Sequence, residues 1–183
     1  MSFERLETRL EGLVLYDVSA NEDPRGFLSE SWRKDRMAEL DIDFDFVQEN
    51  HSRSIKGTLR GIHFQTEPGQ AKLIRCARGK ILDVAVDLRS DSDTFGQWEG
   101  FELSDGNRHQ LLVPIGFGHA FCVLSDEADV IYKLSSYYDP DTESGIAWDD
   151  PTVDIDWPAM PRLISERDEA APRLDEIADS LPW

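Results

Sequence analysis

His63 lies in GTLRGIHFQTEPGQAKLIRC, residues 57–76, with Arg60 three positions before it, Gln65 two after it and Lys72 nine after it, in an otherwise apolar framework. The chain has 4 histidines, and imidazole near neutral pH either binds a metal or moves a proton. Taken alone, His63 fits equally a core histidine bonded to a backbone carbonyl. A second histidine, His119, stands in VPIGFGHAF, residues 113–121, where Pro114, Gly116 and His119 give the spacing PxGxxH. A protein-bound transition metal usually needs three imidazole, thiolate or carboxylate ligands. Beside His63 stands only an amide, Gln65, and the nearest downstream carboxylate is Glu67, just before Pro68. No metal is therefore expected, and proton transfer remains. Cys76 and Cys122 form no CxxC and have apolar neighbours, so they are expected as core residues of a protein from a reducing compartment, without structural zinc.

Strands must carry these side chains. Residues two apart in a strand share a face. Unbroken alternation puts Leu59, Gly61, His63 and Gln65 on one face and Arg60, Ile62 and Phe64 on the other, unless a bulge at Gly61 re-aims the chain. The same rule groups Lys72, Ile74 and Cys76, and further on Tyr132, Leu134, Ser136 and Tyr138. Tyr132 alone would be a half-buried strand aromatic. From residue 12 to about 133, short stretches of period two alternate with turn signals: LVLYDV then NEDPRG, KLIRCA then RGK, ILDVAVDLR then SDSDTFG. This pattern predicts an all-β sandwich or small barrel, with helices over about 32–40 and 170–180. The segment after Tyr138, rich in Pro, Asp and Trp, is expected to wrap the barrel as ordered loops anchored by its aromatics.

A length of 183 residues fits one domain spanning 1–183 with a sizeable core. Hydrophobic residues make up 40% and charged residues 31%, the composition of a folded soluble protein. With 37 acidic against 19 basic residues and a net charge of −18, nucleic acid is excluded as a partner, because binding needs cations to displace phosphate counterions. Any anionic ligand must meet a local basic cluster. The acidity fits either a high-salt cytoplasm or an ordinary acidic enzyme kept soluble by its charge. The start, MSFERLETRLEGL, is interrupted by Glu4 and Glu7, so neither a secretory signal nor a membrane span is expected, and a cytoplasmic location is.

The PxGxxH spacing is that of the second signature of the cupin barrel. The first signature, HxH followed by glutamate, reads here as His63, Phe64, Gln65, so the chain resembles a cupin that has lost its metal. Eight blocks in order, DPRGFLSE (23–30), QENHSRS (48–54), GTLRGIHFQ (57–65), QAKLIRCARGKILDVAVDLR (70–89), TFGQW (94–98), VPIGFGHAF (113–121), YKLSSYYDP (132–140) and ISERDEAAPRL (164–174), closely resemble the dTDP-4-dehydrorhamnose 3,5-epimerase family. The resemblance runs over about residues 3–178. It implies a cupin-type jelly-roll barrel, catalysis without a cofactor, and a homodimer.

That family's substrate is a 4-keto-6-deoxyhexose carried on dTDP. Its C4' ketone acidifies the hydrogens at C3' and C5'. Epimerisation then needs a base on one face, a charge to hold the enolate oxygen, and an acid on the other face. The resemblance implies that His63 is the base, oriented by Asp168 of the SERD segment, with Asp83 as the substitute if the tail packs elsewhere. Tyr132 would be the acid at C5', and Lys72 the cation beside it or the clamp on the enolate. Arg25, Arg60, Arg167 and His119 would contact nucleotide or sugar, Gln48, Glu49, Asn50 and Glu143 would add polar contacts, and Tyr138 would stack on thymine. Arg25 and Glu30 would come from the partner subunit. One departure is the order GFGHAF, in which Gly118 and Ala120 are swapped relative to the usual GFAHGF. Rival readings are a metal-dependent cupin, a non-catalytic sugar-binding module, and a relative acting at C3' or C5' only, which these residues do not separate.

Overall fold

The structure, a computed structural model, describes residues 1–157 and 163–183. Its strands are β1 (Phe3–Leu6), β2 (Val14–Val18), β3 (Ala20–Asp23), β4 (Gly26–Ser29), β5 (Gln48–Ile55), β6 (Leu59–Gln65), β7 (Lys72–Arg78), β8 (Lys80–Asp87), β9 (Trp98–Ser104), β10 (Gln110–Val113), β11 (Phe117–Val123), β12 (Glu127–Leu134) and β13 (Glu143–Gly145). One antiparallel sheet has the order β1-β2-β10-β7-β12-β5 and the other β13-β6-β11-β8-β9, while β3 and β4 form a separate hairpin. This is the all-β architecture the alternating pattern predicted, in the jelly-roll form the resemblance implied.

Period two explains how the layers hold together. Inward side chains of both sheets, among them Leu15, Ile74, Leu111 and Val130 facing Ile81, Ala85, Leu103 and Val123, form one buried cluster. Each Leu, Ile or Val among them contributes about 1.5–3 kcal/mol by leaving water. The outer side of the six-stranded sheet buries Val14, Tyr16, Leu73 and Leu112 beneath Met37, Leu40 and Ile42. The helix expected over 32–40 is only α1 (Lys34–Met37) with one 3-10 turn, ended by Asp41 in a left-handed conformation at φ 60°.

The outer side of the other sheet buries Ile62, Phe64, Val84 and Val86 beneath Ile146, Val153, Leu174, Trp157 and Trp183 of the tail. Asp150 ties this cover down by accepting from the backbone N–H of Leu174, Thr152 and Val153 at 2.6, 2.7 and 3.1 Å. The tail is more regular than the loops expected of most of it: it adds β13 and α2 (Glu166–Glu169), while the helix expected over 170–180 is α3 (Leu174–Ile177) followed by one 3-10 turn, Ala178–Ser180. Its stretch 158–162 lies outside the described residues. No helix among the described residues is long and apolar enough to cross a membrane.

One irregularity decides what faces inward. His63 on β6 pairs with His119 on β11, but Arg60 pairs with Phe121, three steps on one strand against two on the other. The extra residue is a bulge at Gly61, whose φ is 125°. A Cβ at Gly61 would stand 2.4 Å from the Cβ of Ala120, so only glycine fits against β11. Arg60 thereby joins His63 on the inner face, while Ile62 and Phe64 stay outside. Simple alternation would have put Arg60 with them.

Candidate active site

Beyond the apolar cluster the space between the sheets opens into a cavity of about 780 Å³. The six-stranded sheet contributes Gln48 and Asn50 from β5, Lys72 from β7 and Tyr132 from β12; the other contributes Arg60 and His63 from β6 and His119 from β11. Tyr138, Glu143, Arg167 and Asp168 complete the polar rim.

His63 Nε2 is 2.7 Å from Asp168 Oδ1, although the two are 105 residues apart. Ser165 brings Asp168 there by capping α2, its Oγ accepting the Asp168 backbone N–H at 3.1 Å. The second carboxylate oxygen accepts the Gly61 N–H at 3.4 Å, so the bulge also seats the acid. Burial pushes the Asp168 carboxyl upward, but the bonds from His63 and Gly61 outweigh it and hold it below the usual carboxylate range. Neutral His63 then carries its proton on Nε2 and leaves the Nδ1 lone pair free.

Lys72 reaches across the space and donates to the backbone carbonyl of His63 at 3.1 Å. Burial pushes its ammonium down to about 8, against the pull of Glu143 and Asp83, with Arg167 adding to the depression. On the same sheet as Lys72, Asn50 donates to the Tyr132 hydroxyl at 3.3 Å, Gln48 donates to Asn50 at 3.0 Å, and Gln48 accepts the Tyr138 N–H at 2.9 Å. Arg167 donates to Glu143 at 2.6 Å. Burial raises the Glu143 carboxyl, but Arg167 and Tyr138 together bring it below its usual range. The same Glu143 beside the Tyr138 phenol pushes that group up. Arg60 Nε donates to Ser54 Oγ at 3.1 Å, leaving the rest of its guanidinium beside the cavity.

Most expected site residues therefore converge, but three do not. Glu49 is a correction: odd positions of β5 face outward, and Glu49 is bonded to Lys133 on the outer face rather than lining the cavity. Arg25, paired with Asp23, sits at the β3–β4 turn, and Glu30 follows β4; both lie away from this cavity. Gln65, where a cupin has its second ligand histidine, accepts the Asp139 N–H at 3.3 Å and donates to the Tyr137 carbonyl at 3.2 Å, which fixes the segment bearing Tyr138. No three His, Cys, Asp or Glu side chains group as a metal ligand set among the described residues.

Sequence reasoning missed the partner of His119. Its Nε2 stands 3.0 Å from both oxygens of Asp83, which is wholly buried. Asp83 as an inward acid between Ile81 and Ala85 was readable by alternation, but the strand pairing that gives it His119 was not. Ser165, three residues before Asp168, was readable as a helix cap.

A jelly roll with a His–Asp pair, a tyrosine and a lysine around one inter-sheet cavity defines a class, that of the cupin-like enzymes equipped for acid–base chemistry. Residues 7–176 match the sequence model of the dTDP-4-dehydrorhamnose 3,5-epimerase family, and the chain belongs to that family. It is 46% identical over 169 residues to the dTDP-4-dehydrorhamnose 3,5-epimerase of Methanothermobacter thermautotrophicus, covering 91% of each chain. It is 43% identical to a dTDP-4-dehydrorhamnose 3-epimerase of Streptomyces niveus, over 93% of this chain and 84% of the relative. Among solved structures, a dTDP-6-deoxy-D-glucose-3,5-epimerase from Legionella pneumophila in complex with dTDP-4-keto-L-rhamnose superposes with a TM-score of 0.95 at 42% identity, over 98% of this chain and 97% of that one.

Proposed function

We propose that this chain epimerises dTDP-4-dehydro-6-deoxy-D-glucose at C3' and C5', giving dTDP-4-dehydro-L-rhamnose for dTDP-L-rhamnose synthesis. The observation that carries this reading is the position of His63 and Tyr132 on opposite sheets of one cavity. Inverting a carbon requires removing its proton from one face and returning one to the other. A sugar held between the sheets has a base on one side and an acid on the other.

His63 Nδ1 takes the proton from the carbon beside the ketone, and the electron pair left behind moves onto the C4' oxygen. Asp168 holds the ring and stabilises the imidazolium that forms. Lys72 supplies positive charge for the enolate oxygen. As the enolate collapses at C5', Tyr132 donates its phenolic proton from the opposite face, and Asn50 fixes the hydroxyl that gives it. Arg60 and Arg167 provide the local cations that the pyrophosphate needs on a chain of net charge −18, and Tyr138 offers a face for thymine.

The arrangement of the outer parts belongs to the same proposal. Residues 1–183 work as one epimerase domain in the cytoplasm, with no resident cofactor, and pair as a homodimer. The β3–β4 hairpin leaves Phe27 and Leu28 58% and 68% exposed, so it serves as an arm carrying Arg25 and Glu30 into a second copy's cavity. Sedimentation of the purified protein is expected to give twice the chain mass.

The test of function is incubation with dTDP-4-dehydro-6-deoxy-D-glucose in D2O, followed by proton NMR. Deuterium at both C3' and C5', with product consumed by a 4-ketoreductase specific for the L-rhamno configuration, is the expected result. Label and inversion at C3' alone would make the chain a 3-epimerase like the Streptomyces niveus relative.

A further inference from the structure

Asp83 is 0% exposed, stands inward on β8 between Ile81 and Ala85, and spends both oxygens on His119. Among the described residues His119 is its only side-chain partner. An aliphatic residue at such a site would normally be at least as stabilising as a buried carboxylate bonded to an imidazole, because taking a carboxylate out of water costs several kcal/mol. The pair therefore needs a reason beyond packing, and its position supplies one. His119 lies directly across the ladder from His63 and lines the same cavity. Both rings engage a carboxylate through Nε2.

We propose that Asp83 is a positioning residue that fixes the His119 tautomer, with the proton held on Nε2, so that Nδ1 faces the cavity as an acceptor for a hydroxyl of the sugar ring. The proposal rests on the epimerase reading for the identity of the ligand and deepens it. His63 and His119 present the same ring nitrogen with different tasks: one takes a proton from carbon, the other accepts a hydrogen bond from a hydroxyl and keeps the sugar in register above the base. A carboxylate suits this role because it has no proton to donate and admits only an N–H toward itself. An amide in its place could turn its NH2 to the ring and drive the proton to Nδ1, converting an acceptor into a donor.

Nitrogen-15 NMR of the histidine rings tests this without substrate: wild-type His119 is expected to carry its proton on Nε2, and Asp83→Asn to populate the Nδ1–H form. A wild-type ring protonated on Nδ1, or an unchanged tautomer in Asp83→Asn, overturns the proposal. The wild-type spectrum decides even if the variant does not fold. With the dTDP-sugar, Asp83→Asn is expected to raise KM about tenfold, the value of one hydrogen bond, while the Kd of dTDP alone stays within twofold. His119→Ala and the double variant should lose no more than the larger single loss. Additive losses, or equal weakening of dTDP itself, would make Asp83 a fold residue only. If the wild type exchanges no substrate protons, the proposed function fails, and the nitrogen signals still decide the role of Asp83.

Discussion

On β7 the closed end of the inter-sheet space receives Ile74 and Cys76, while two residues earlier the open end receives Lys72; on β12 Val130 and Ala128 face the core and Tyr132 the cavity. The same strands, with the same period, thus build both a dry core and a polar site. At the closed end the inward positions are apolar and hold by exclusion of water. At the open end the polar groups are held by partners: His63 by Asp168, His119 by Asp83, Tyr132 by Asn50, Lys72 by a backbone carbonyl. Stability is drawn mainly from one end and chemistry from the other, so substitutions at the two ends should separate in what they change.

The sharpest separation is expected from His63→Ala. Activity at both carbons should fall by ~10³-fold or more, at the upper range of general base catalysis, with the melting temperature within a few degrees of wild type. Exchange of substrate protons at the wild-type rate would show that another group is the base. Tyr132→Phe keeps the ring and removes its only O–H. It should still wash deuterium into the sugar through His63 but form product inverted at C5' ~10²-fold more slowly. Near wild-type formation of the doubly inverted product would return Tyr132 to the status of a strand aromatic.

At the closed end Leu103, which is fully buried, gives the reverse pattern. Leu103→Ala should cost about 3 kcal/mol of unfolding free energy, read by urea titration, with kcat unchanged below the transition. A loss of kcat with stability intact would break the division between the ends. Lys72→Met tests whether the open end is held at a cost. Burial lowers the Lys72 ammonium to about 8, so between that pH and the usual lysine value the unfolded chain binds the proton more tightly than the folded one. Below pH 8 the lysine is charged in both states and its full desolvation cost is present; as pH rises above 8 the cost is relieved. At pH 7 the variant should therefore be inactive yet more stable than wild type, by on the order of 2 kcal/mol, with the gap narrowing by pH 10. The wild type's kcat/KM should fall above about pH 8 as the charge is lost. The smallest effect is expected from Glu49→Gln, whose pair with Lys133 is on the outer face: kinetics within twofold and at most about 1 kcal/mol of stability.

Alternation alone made the layers legible, because a half-buried strand must sort its side chains by twos. It placed Lys72 with Ile74 and Cys76, and it would also have removed Glu49 from the site, since Gln48 and Asn50 on either side must face the other way. The resemblance supplied what alternation lacks, the approach of Asp168 to His63 across 105 residues. What stayed unreadable depends on pairing between strands distant in sequence. His119 meets Asp83 only because β11 lies beside β8 in one register, with Phe121 opposite Asp83. Arg60 faces inward only because β6 gains a residue against β11. Of the short helices only α2 escaped, because at four residues it is held by its Ser165 cap rather than by any periodicity long enough to see, whereas α1 and α3 lie inside the helices expected over 32–40 and 170–180 and are merely shorter.

The bulge at Gly61 turns length into information. Between Arg60 and His63 the number of residues matters as much as their identity, because an odd step taken across a bulge is what brings a guanidinium and an imidazole to the same side of a sheet. Adding one residue here with the bulge kept would make the step even and send the two to opposite sides, one into the cavity and the other toward the tail, whereas removing one would flatten the bulge and leave them two apart on the same side. A shuffled gene that joins two such chains within this tetrapeptide must therefore preserve its phase, much as a spliced message must preserve its frame.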